Sequence, residues 1–332
     1  MFMLDKFERE INYLRVSITD RCNLRCTYCR PKEGISLQGH DDILRYEEII
    51  RFVSVAVNMG LIKVRITGGE PLVRKGFIDF ISALKKIEGL QDISLTTNGI
   101  LLPEFAESIF QAGIHRINIS LDSLNEDKYA KITGGGNLQK VLRGIKKAEE
   151  VGFSPIKINT VAMSGFSDDE ILDFSKIAFE KPFQVRFIEL MPFGQAHAFH
   201  AENYLPIDQI MKKITSCYKL EKIEGKKNKA DGPAKIFKII GGRGEIGFIS
   251  PLSGHFCATC NRLRLTADGK LRSCLLRDEE FDLKNLLRQN CSDDELKNFI
   301  SAVIALKPKE HDISCSPEHL RKCQRDMSEI GG

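Results

Sequence analysis

Six times between Tyr13 and Ile188 the sequence runs from a short apolar stretch into one with helical spacing. The apolar stretches are 13–18, 61–66, 93–96, 114–120, 156–161 and 183–188. Ile49, Phe52, Val53 and Ala56 recur at helical spacing, as do Phe77, Phe80, Ile81, Leu84 and Ile87. Residues 105–112 and 138–148 read as further helices, and Ser167-Asp168-Asp169-Glu170 reads as a capping box ahead of Ile171, Phe174 and Ile177. Strands that alternate with crossover helices build a parallel sheet, because parallel neighbours need a long connection. An open doubly wound sheet and a full or partial barrel both satisfy that pattern. The segments after the strands favour the barrel: Cys22, Gly68-Gly69-Glu70, Thr97-Asn98-Gly99, Asp122-Ser123 and Met191-Pro192 would gather at one mouth.

The character changes after Leu205. Lys226-Lys227-Asn228-Lys229 reads as part of a solvated loop rather than a nucleic-acid contact. Short strands follow at 235–240, 245–250 and 262–266, with Ala267-Asp268-Gly269-Lys270 as a hairpin turn. Helices are expected at 281–288 and after a second capping box, Ser292-Asp293-Asp294-Glu295. The expected division is a barrel domain over 1–225 and an α+β extension over 226–332. A length of 332 residues accommodates both. With 42% apolar and 28% charged residues, the chain is neither disordered, collagen-like nor a long coiled coil. A net charge of +4 is too mild to imply nucleic acid. No apolar run is long enough to span a membrane, and residues 1–10 do not read as a secretory signal, so the expected location is cytoplasmic.

In a reducing compartment ten cysteines point to metal rather than disulfides. Cys22, Cys26 and Cys29 are spaced C-x-x-x-C-x-x-C. Three thiolates on one loop can hold three irons of a cubane and leave the fourth open, whereas structural zinc wants a fourth protein ligand. Only His40 lies near, in a polar stretch. Cys257, Cys260 and Cys274 form a second group. Its spacing leaves zinc and a cluster both open, with His255, His311 or Cys291 as a fourth zinc ligand. Cys217, Cys291, Cys315 and Cys323 show no ligand spacing and read as ordinary small side chains. Arg15, Arg65, Lys157 and Arg186 each fall within an expected core strand. One such charge would read as an edge residue facing water; four on different strands of one sheet favour a shared anionic ligand.

The first cysteine motif after a first strand, with Tyr28 before its last cysteine and Gly68-Gly69-Glu70-Pro71 after the second strand, resembles the radical S-adenosylmethionine (SAM) superfamily. That resemblance implies a partial (β/α)6 TIM-type barrel and reductive cleavage of SAM, chelated at the open iron, to a 5′-deoxyadenosyl radical. Gly247-Phe248-Ile249-Ser250-Pro251, the second cysteine group and Asn261-Arg262-Leu263-Arg264 resemble, more narrowly, the GTP 3′,8-cyclase family of molybdenum cofactor biosynthesis. The resemblance extends from Leu14 to the Gly331-Gly332 ending, a feature of that family.

It implies two [4Fe–4S] clusters on the two cysteine groups, the second meeting the guanine base of GTP. It assigns SAM to Tyr28, Gly69, Ser120 and Met191, and GTP to Arg15, Arg65, Thr96, Lys157, Arg186, Arg262, Leu263 and Arg264. The implied reaction removes the 3′ hydrogen of GTP and joins that carbon to C8, giving (8S)-3′,8-cyclo-7,8-dihydroguanosine 5′-triphosphate. No side-chain acid/base pair or nucleophile is required for the hydrogen abstraction. The implied partners are a flavodoxin- or ferredoxin-type one-electron reductant and a cyclic pyranopterin monophosphate synthase; a homodimer is left open. Arg30, where a Met is usual, and Gly134-Gly135-Gly136, in place of a more charged turn, depart from the family at positions expected to touch neither ligands nor basic residues. A peptide-maturing radical SAM enzyme and a non-enzymatic iron–sulfur carrier are the alternatives. The first would lack the basic strand residues, and the second leaves the barrel and the Gly-Gly-Glu-Pro loop without a purpose.

Overall fold

A computed structural model describes residues 3–30, 37–193, 196–223, 232–313 and 323–331. Cys315, Gly332 and the Lys226–Lys229 run lie outside the described residues. The first part of the chain alternates β1 (Tyr13–Ser17), α1 (Tyr46–Met59), β2 (Lys63–Thr67), α2 (Phe77–Lys85), β3 (Asp92–Thr97), α3 (Leu102–Gln111) and β4 (Ile117–Ser120). Two helices, α4 (Glu126–Thr133) and α5 (Leu138–Val151), lead to β5 (Ile156–Ala162), and α6 (Ile171–Glu180) leads to β6 (Gln184–Glu189). Then come α7 (Ala196–Asn203), α8 (Ile207–Thr215), β7 (Leu220–Lys222), β8 (Lys235–Ile239), β9 (Glu245–Ile249), β10 (Arg262–Leu265), β11 (Lys270–Arg272) and β12 (Phe281–Asp282). Helices α9 (Leu283–Arg288), α10 (Asp293–Ala305) and α11 (Met327–Ile330) complete the described chain. No helix among these residues is long and apolar enough to cross a membrane.

The strands form one sheet in the order β12-β11-β10-β1-β2-β3-β4-β5-β6-β9-β8-β7. The six expected strands lie side by side and parallel, and the sheet is not closed, as in the expected partial barrel. The late strands add more than a separate extension: β10 joins β1 in parallel, pairing Arg15 with Arg264, and β9 joins β6 in parallel, pairing Arg186 with Gly247. The β1 and β6 edges would otherwise expose unpaired backbone groups. Alternation sorts the side chains. Leu14, Val16, Val64, Ile66, Leu95, Ile117, Ile119, Ile158, Val185 and Phe187 are buried in the main apolar core. Their neighbours in sequence, including Arg15, Arg65, Thr96, Ser120, Asn159 and Arg186, line the opposite, concave face. Fully burying one such apolar side chain contributes about 1.5–3 kcal/mol, so the outer positions drive the fold and free the inner ones for chemistry.

The two expected capping boxes diverge. Ser292 and Glu295 form theirs at the start of α10, each side chain taking the other's backbone N–H. Ser167 and Glu170 do not: Ser167 Oγ takes the Met163 N–H, and the Glu170 carboxylate takes the Ser123 hydroxyl at 2.9 Å, the Leu124 N–H at 2.5 Å and Lys128 at 3.3 Å. A buried carboxylate that meets donors from the β4–α4 turn has no reason to return to its own helix. Ser292→Ala is therefore expected to cost about 1 kcal/mol, as for a lost cap. Glu170→Ala should cost more, because it strands two donors at about 1–3 kcal/mol each. Urea unfolding of the two variants checks the order, and an equal or smaller loss in Glu170→Ala contradicts the clamp.

Candidate active site

The first cysteine loop leaves β1 and is tied down on two sides. The Arg25 and Thr27 N–H groups, flanking Cys26, donate to the Thr133 and Ile132 carbonyls at the end of α4, each at 2.9 Å. On the other side Gly69 N–H donates to Thr19 at 2.6 Å and Glu70 N–H to Arg21 at 2.8 Å. A Cβ on Gly69 would sit 2.3 Å from the Arg21 carbonyl oxygen, so the Gly-Gly-Glu-Pro loop can approach the cysteine loop only with glycine there. Glu70 is fully buried and accepts from Leu72 N–H, Thr97 Oγ1 and Asn98 N–H at 2.7–3.0 Å. Burial raises its carboxyl to about 7 against those three donors. Asn98 in turn donates to Asn23 at 2.7 Å and reaches Cys22 Sγ at 3.9 Å.

Cys22, Cys26 and Cys29 face one another. Burial raises all three thiols, that of Cys29 to about 12; Cys29 and Cys22 raise Cys26 further, and Cys22 raises Cys29. Tyr28 donates to Asp122 at 2.5 Å, and Asp122 also accepts from Val161 N–H at 2.9 Å. The family departures are closer to this loop than expected. The 134–136 turn follows directly on the α4 end that holds Arg25, and Arg30 donates to the Asp20 carbonyl and lowers the Cys22 and Cys29 thiols.

The second group sits at the other end of the concave face. Cys257 and Cys260 bracket a tight turn ahead of β10, and Cys274 follows β11. Arg9 donates to the Cys257 carbonyl at 2.7 Å and to Pro308 at 2.6 Å. Lys307, only 2% exposed, donates to the carbonyls of Arg262 at 2.9 Å and Ser273 at 2.5 Å. Burial raises the Cys260 thiol, but Arg262 and Lys307 outweigh it and bring it down to about 6. Among the proposed fourth zinc ligands, Cys291 is buried in the main core, while His255 and His311 line the chamber. Among the described residues no three His, Cys, Asp or Glu side chains are gathered for a single ion. Each triad presents three thiolates to the chamber, the number that a cubane with one open iron takes.

One chamber of about 300 Å³ joins the two triads. Tyr28, Gly69, Ser120 and Met191 line it with the first triad, and Arg15, Arg65, Thr96, Arg186, Arg262 and Arg264 also line it. Buried Thr96 Oγ1 and Asn159 Oδ1 have no hydrogen-bond partner among the described residues, as expected of groups awaiting a polar ligand. Two expected residues fall outside the lining. Leu263 alternates to the other face and joins the apolar core, so its side chain does not reach the chamber. Lys157 lies two residues before Asn159 on the same strand, near Arg186, Arg65 and Lys63. The sequence reading missed Lys63, which pairs with Asp92 at 2.8 Å, although it stands two residues before Arg65 and so on the same face. It also missed Glu189, fully buried at the end of β6, which accepts from the Leu252 and Ser253 N–H groups at 3.0 and 3.1 Å, and from the Ser253 hydroxyl.

The cations strain one another. Burial lowers Arg15 to about 10, with Arg65 and Arg262 contributing, and lowers Arg264 well below its usual value, with Arg15 and Arg262 contributing. Burial, then Arg186, Arg65, Lys63 and Arg116, bring Lys157 down to about 6. The unfolded chain therefore holds a proton on Lys157 between pH 6 and its ordinary value of 10.5, which the folded chain has released. Stability from this group is missing below pH 6 and is recovered as pH rises through that window. The unfolding free energy of the wild type minus that of Lys157→Met should rise between pH 6 and 9. A flat or falling difference in urea titrations would contradict the shift.

Residues 16–178 match the Radical SAM superfamily, and residues 183–313 match Molybdenum Cofactor Synthesis C. A GTP 3′,8-cyclase of Moorella thermoacetica is 50% identical over 330 residues, covering 99% of this chain and all of the relative. Those of Alkaliphilus oremlandii and Geobacter sulfurreducens are each 45% identical over at least 99% of this chain and all of the relative. Among solved structures, Streptococcus suis SuiB bound to S-adenosylmethionine shares the fold at a TM-score of 0.58 and 15% identity, over 98% of this chain and 79% of that one. SuiB bound to its precursor peptide SuiA gives 0.61 at the same identity, over 95% and 76%. The fold is thus shared with a peptide-binding protein, while full-length identity at this level goes with the cyclases: the chain belongs to the GTP 3′,8-cyclase family of the radical SAM superfamily.

Proposed function

We infer that this protein is a GTP 3′,8-cyclase that catalyses the first step of molybdenum cofactor biosynthesis, and that its work is divided between the two ends of one chamber. The observation that carries this reading is the shared chamber itself, with a cysteine triad at each end and a wall of arginines along it. Cys22, Cys26 and Cys29 hold the [4Fe–4S] cluster of the superfamily, and Tyr28, Gly69, Ser120 and Met191 hold SAM beside it. Cys257, Cys260 and Cys274 hold a second [4Fe–4S] cluster facing the guanine. When bound, the first cluster and SAM supply the 5′-deoxyadenosyl radical that takes the 3′ hydrogen of GTP.

The chain's own residues do the rest. GTP brings about four negative charges, which Arg15, Arg65 and Arg186 neutralise in the two-pronged geometry that phosphate favours, while Lys157, neutral in the empty site, takes up a proton as the phosphates approach. The Thr96 hydroxyl donates to the same ligand. Arg262 and Arg264, on β10 between Cys260 and Cys274, orient the nucleotide, and Leu263 between them keeps that strand seated on the core. Sheet and helices keep water from the radical. The working division is residues 1–225 for SAM and the first cluster, and 226–332 for the second. A flavodoxin- or ferredoxin-type protein delivers the electron in the cytoplasm, and a cyclic pyranopterin monophosphate synthase takes the product.

Anaerobic turnover of two variants tests the division. Cys22→Ala should abolish 5′-deoxyadenosine formation altogether. Cys260→Ala should keep some uncoupled 5′-deoxyadenosine formation and make no cyclised nucleotide. Fully loaded protein should carry about eight irons, four per cubane. Stoichiometric zinc with a single cluster, or cyclised product from Cys260→Ala, would overturn the role given to the second triad.

A further inference from the structure

The end of α10 inverts the usual order of burial. Leu306 is 59% exposed, while Lys307 beside it is buried. Lysine is almost never fully buried unless its charge is met. Helix α10 holds it there: Leu296, Ile300, Val303 and Ile304 seat the helix in the main core, and the Lys307 N–H closes the last turn on the Ile304 carbonyl at 3.0 Å. The side chain then runs inward to two backbone carbonyls, Arg262 at 2.9 Å and Ser273 at 2.5 Å. Arg262 follows Cys260 by two residues, and Ser273 immediately precedes Cys274. One ammonium therefore bridges the two chain segments that carry these cysteines.

The residues after Lys307 serve the remaining cysteine. The Pro308 and Lys309 carbonyls accept from Arg9 at 2.6 and 3.0 Å, and the same guanidinium donates to the Cys257 carbonyl at 2.7 Å. Segment 307–309 thus meets all three parts of the second triad, one of them through Arg9. The two cations differ in how their charge is met. Asp5 pairs with Arg9 at 2.6 Å, whereas among the described residues no carboxylate pairs with Lys307. A buried charge is costly unless an opposite charge accompanies it, and carbonyl dipoles supply only part of that compensation. Lys307 lies close enough to Cys260 to favour its thiolate, which is the form that binds metal.

We propose that Lys307 is a positioning residue for the second triad: it draws together the segments that carry Cys260 and Cys274 and stands beside the bound cluster as its buried counter-charge. This rests on the assignment of a [4Fe–4S] cluster to Cys257, Cys260 and Cys274. Loss of the ammonium loosens the cluster and makes it harder to reduce, because a nearby positive charge favours the form with one more electron.

The full-length chain with Cys22→Ala, Cys26→Ala and Cys29→Ala combined keeps the second triad alone. In that background, loaded anaerobically with iron and sulfide, the parent should be compared with Lys307→Met, Lys307→Gln and Lys307→Arg by iron release to a chelator and by the midpoint potential of the cluster. Lys307→Met removes donors and charge at similar volume, Lys307→Gln keeps donors without the charge, and Lys307→Arg keeps both. Release should be about tenfold faster in Lys307→Met and intermediate in Lys307→Gln. The potential should fall in both and return toward the parent value in Lys307→Arg. Unchanged release in Lys307→Met would overturn the gathering role. Faster release at an unaltered potential in both neutral variants would overturn the counter-charge and leave Lys307 a strut. Should Lys307→Met not fold, Lys307→Gln decides both points by the same readouts. A parent that binds zinc and no iron would remove the cluster assignment instead; zinc release would then judge Lys307, a tenfold rise in Lys307→Met upholding the gathering role and equal release overturning it.

Discussion

Confined like charge governs this structure. Arg15, Arg65, Arg186, Arg262 and Arg264 line one chamber, and burial with mutual repulsion lowers Arg15, Arg264 and the neighbouring Lys157. Two like charges about 4 Å apart repel by about 4 kcal/mol at an effective dielectric near 20, so such a wall weakens the empty protein. The outer apolar face of the same strands outweighs that cost, because every inward cation alternates with a buried Leu, Ile, Val or Phe. A polyphosphate bound in the chamber would turn the repulsion into attraction.

Such a chamber also needs loops that hold their shape beside it, and three buried carboxylates provide this at the sheet's mouth. Glu70 ties the Gly-Gly-Glu-Pro loop to the turn after β3. Glu170 ties α6 to the turn after β4. Glu189 ties β6 to the segment that leads to Cys257. Each accepts chiefly from backbone N–H and hydroxyl groups, so it braces without neutralising the arginines. Through Glu189 the strand that leads to Met191 is joined to the segment just before the second triad.

Where the evidence lies within one loop or one strand, it is legible in the sequence. The cysteine spacings, the Gly-Gly-Glu-Pro loop and the period-two placement of Arg15, Arg65 and Arg186 are of this kind, and the six strand–helix units follow from local periodicity. Contacts assembled from distant segments are not. Nothing local in 245–249 or 262–265 says that these strands will flank β6 and β1 in parallel, because free edges elsewhere in the chain decide it. Ser167–Glu170 has the same pattern as Ser292–Glu295, yet Ser123 captures its carboxylate from another turn. Glu189 draws donors from Leu252 and Ser253, more than sixty residues away, and carries no motif. Leu263 shows the limit of a family segment taken whole: its side chain faces the core while both neighbours face the chamber.

The most direct test of the account places GTP labelled with deuterium at the ribose 3′ carbon in the anaerobic, reduced enzyme with SAM. If the chamber presents that carbon to the radical made beside Cys22, Cys26 and Cys29, the 5′-deoxyadenosine should carry the label and form in step with cyclised nucleotide. Unlabelled 5′-deoxyadenosine, or equal amounts with and without GTP, would contradict it.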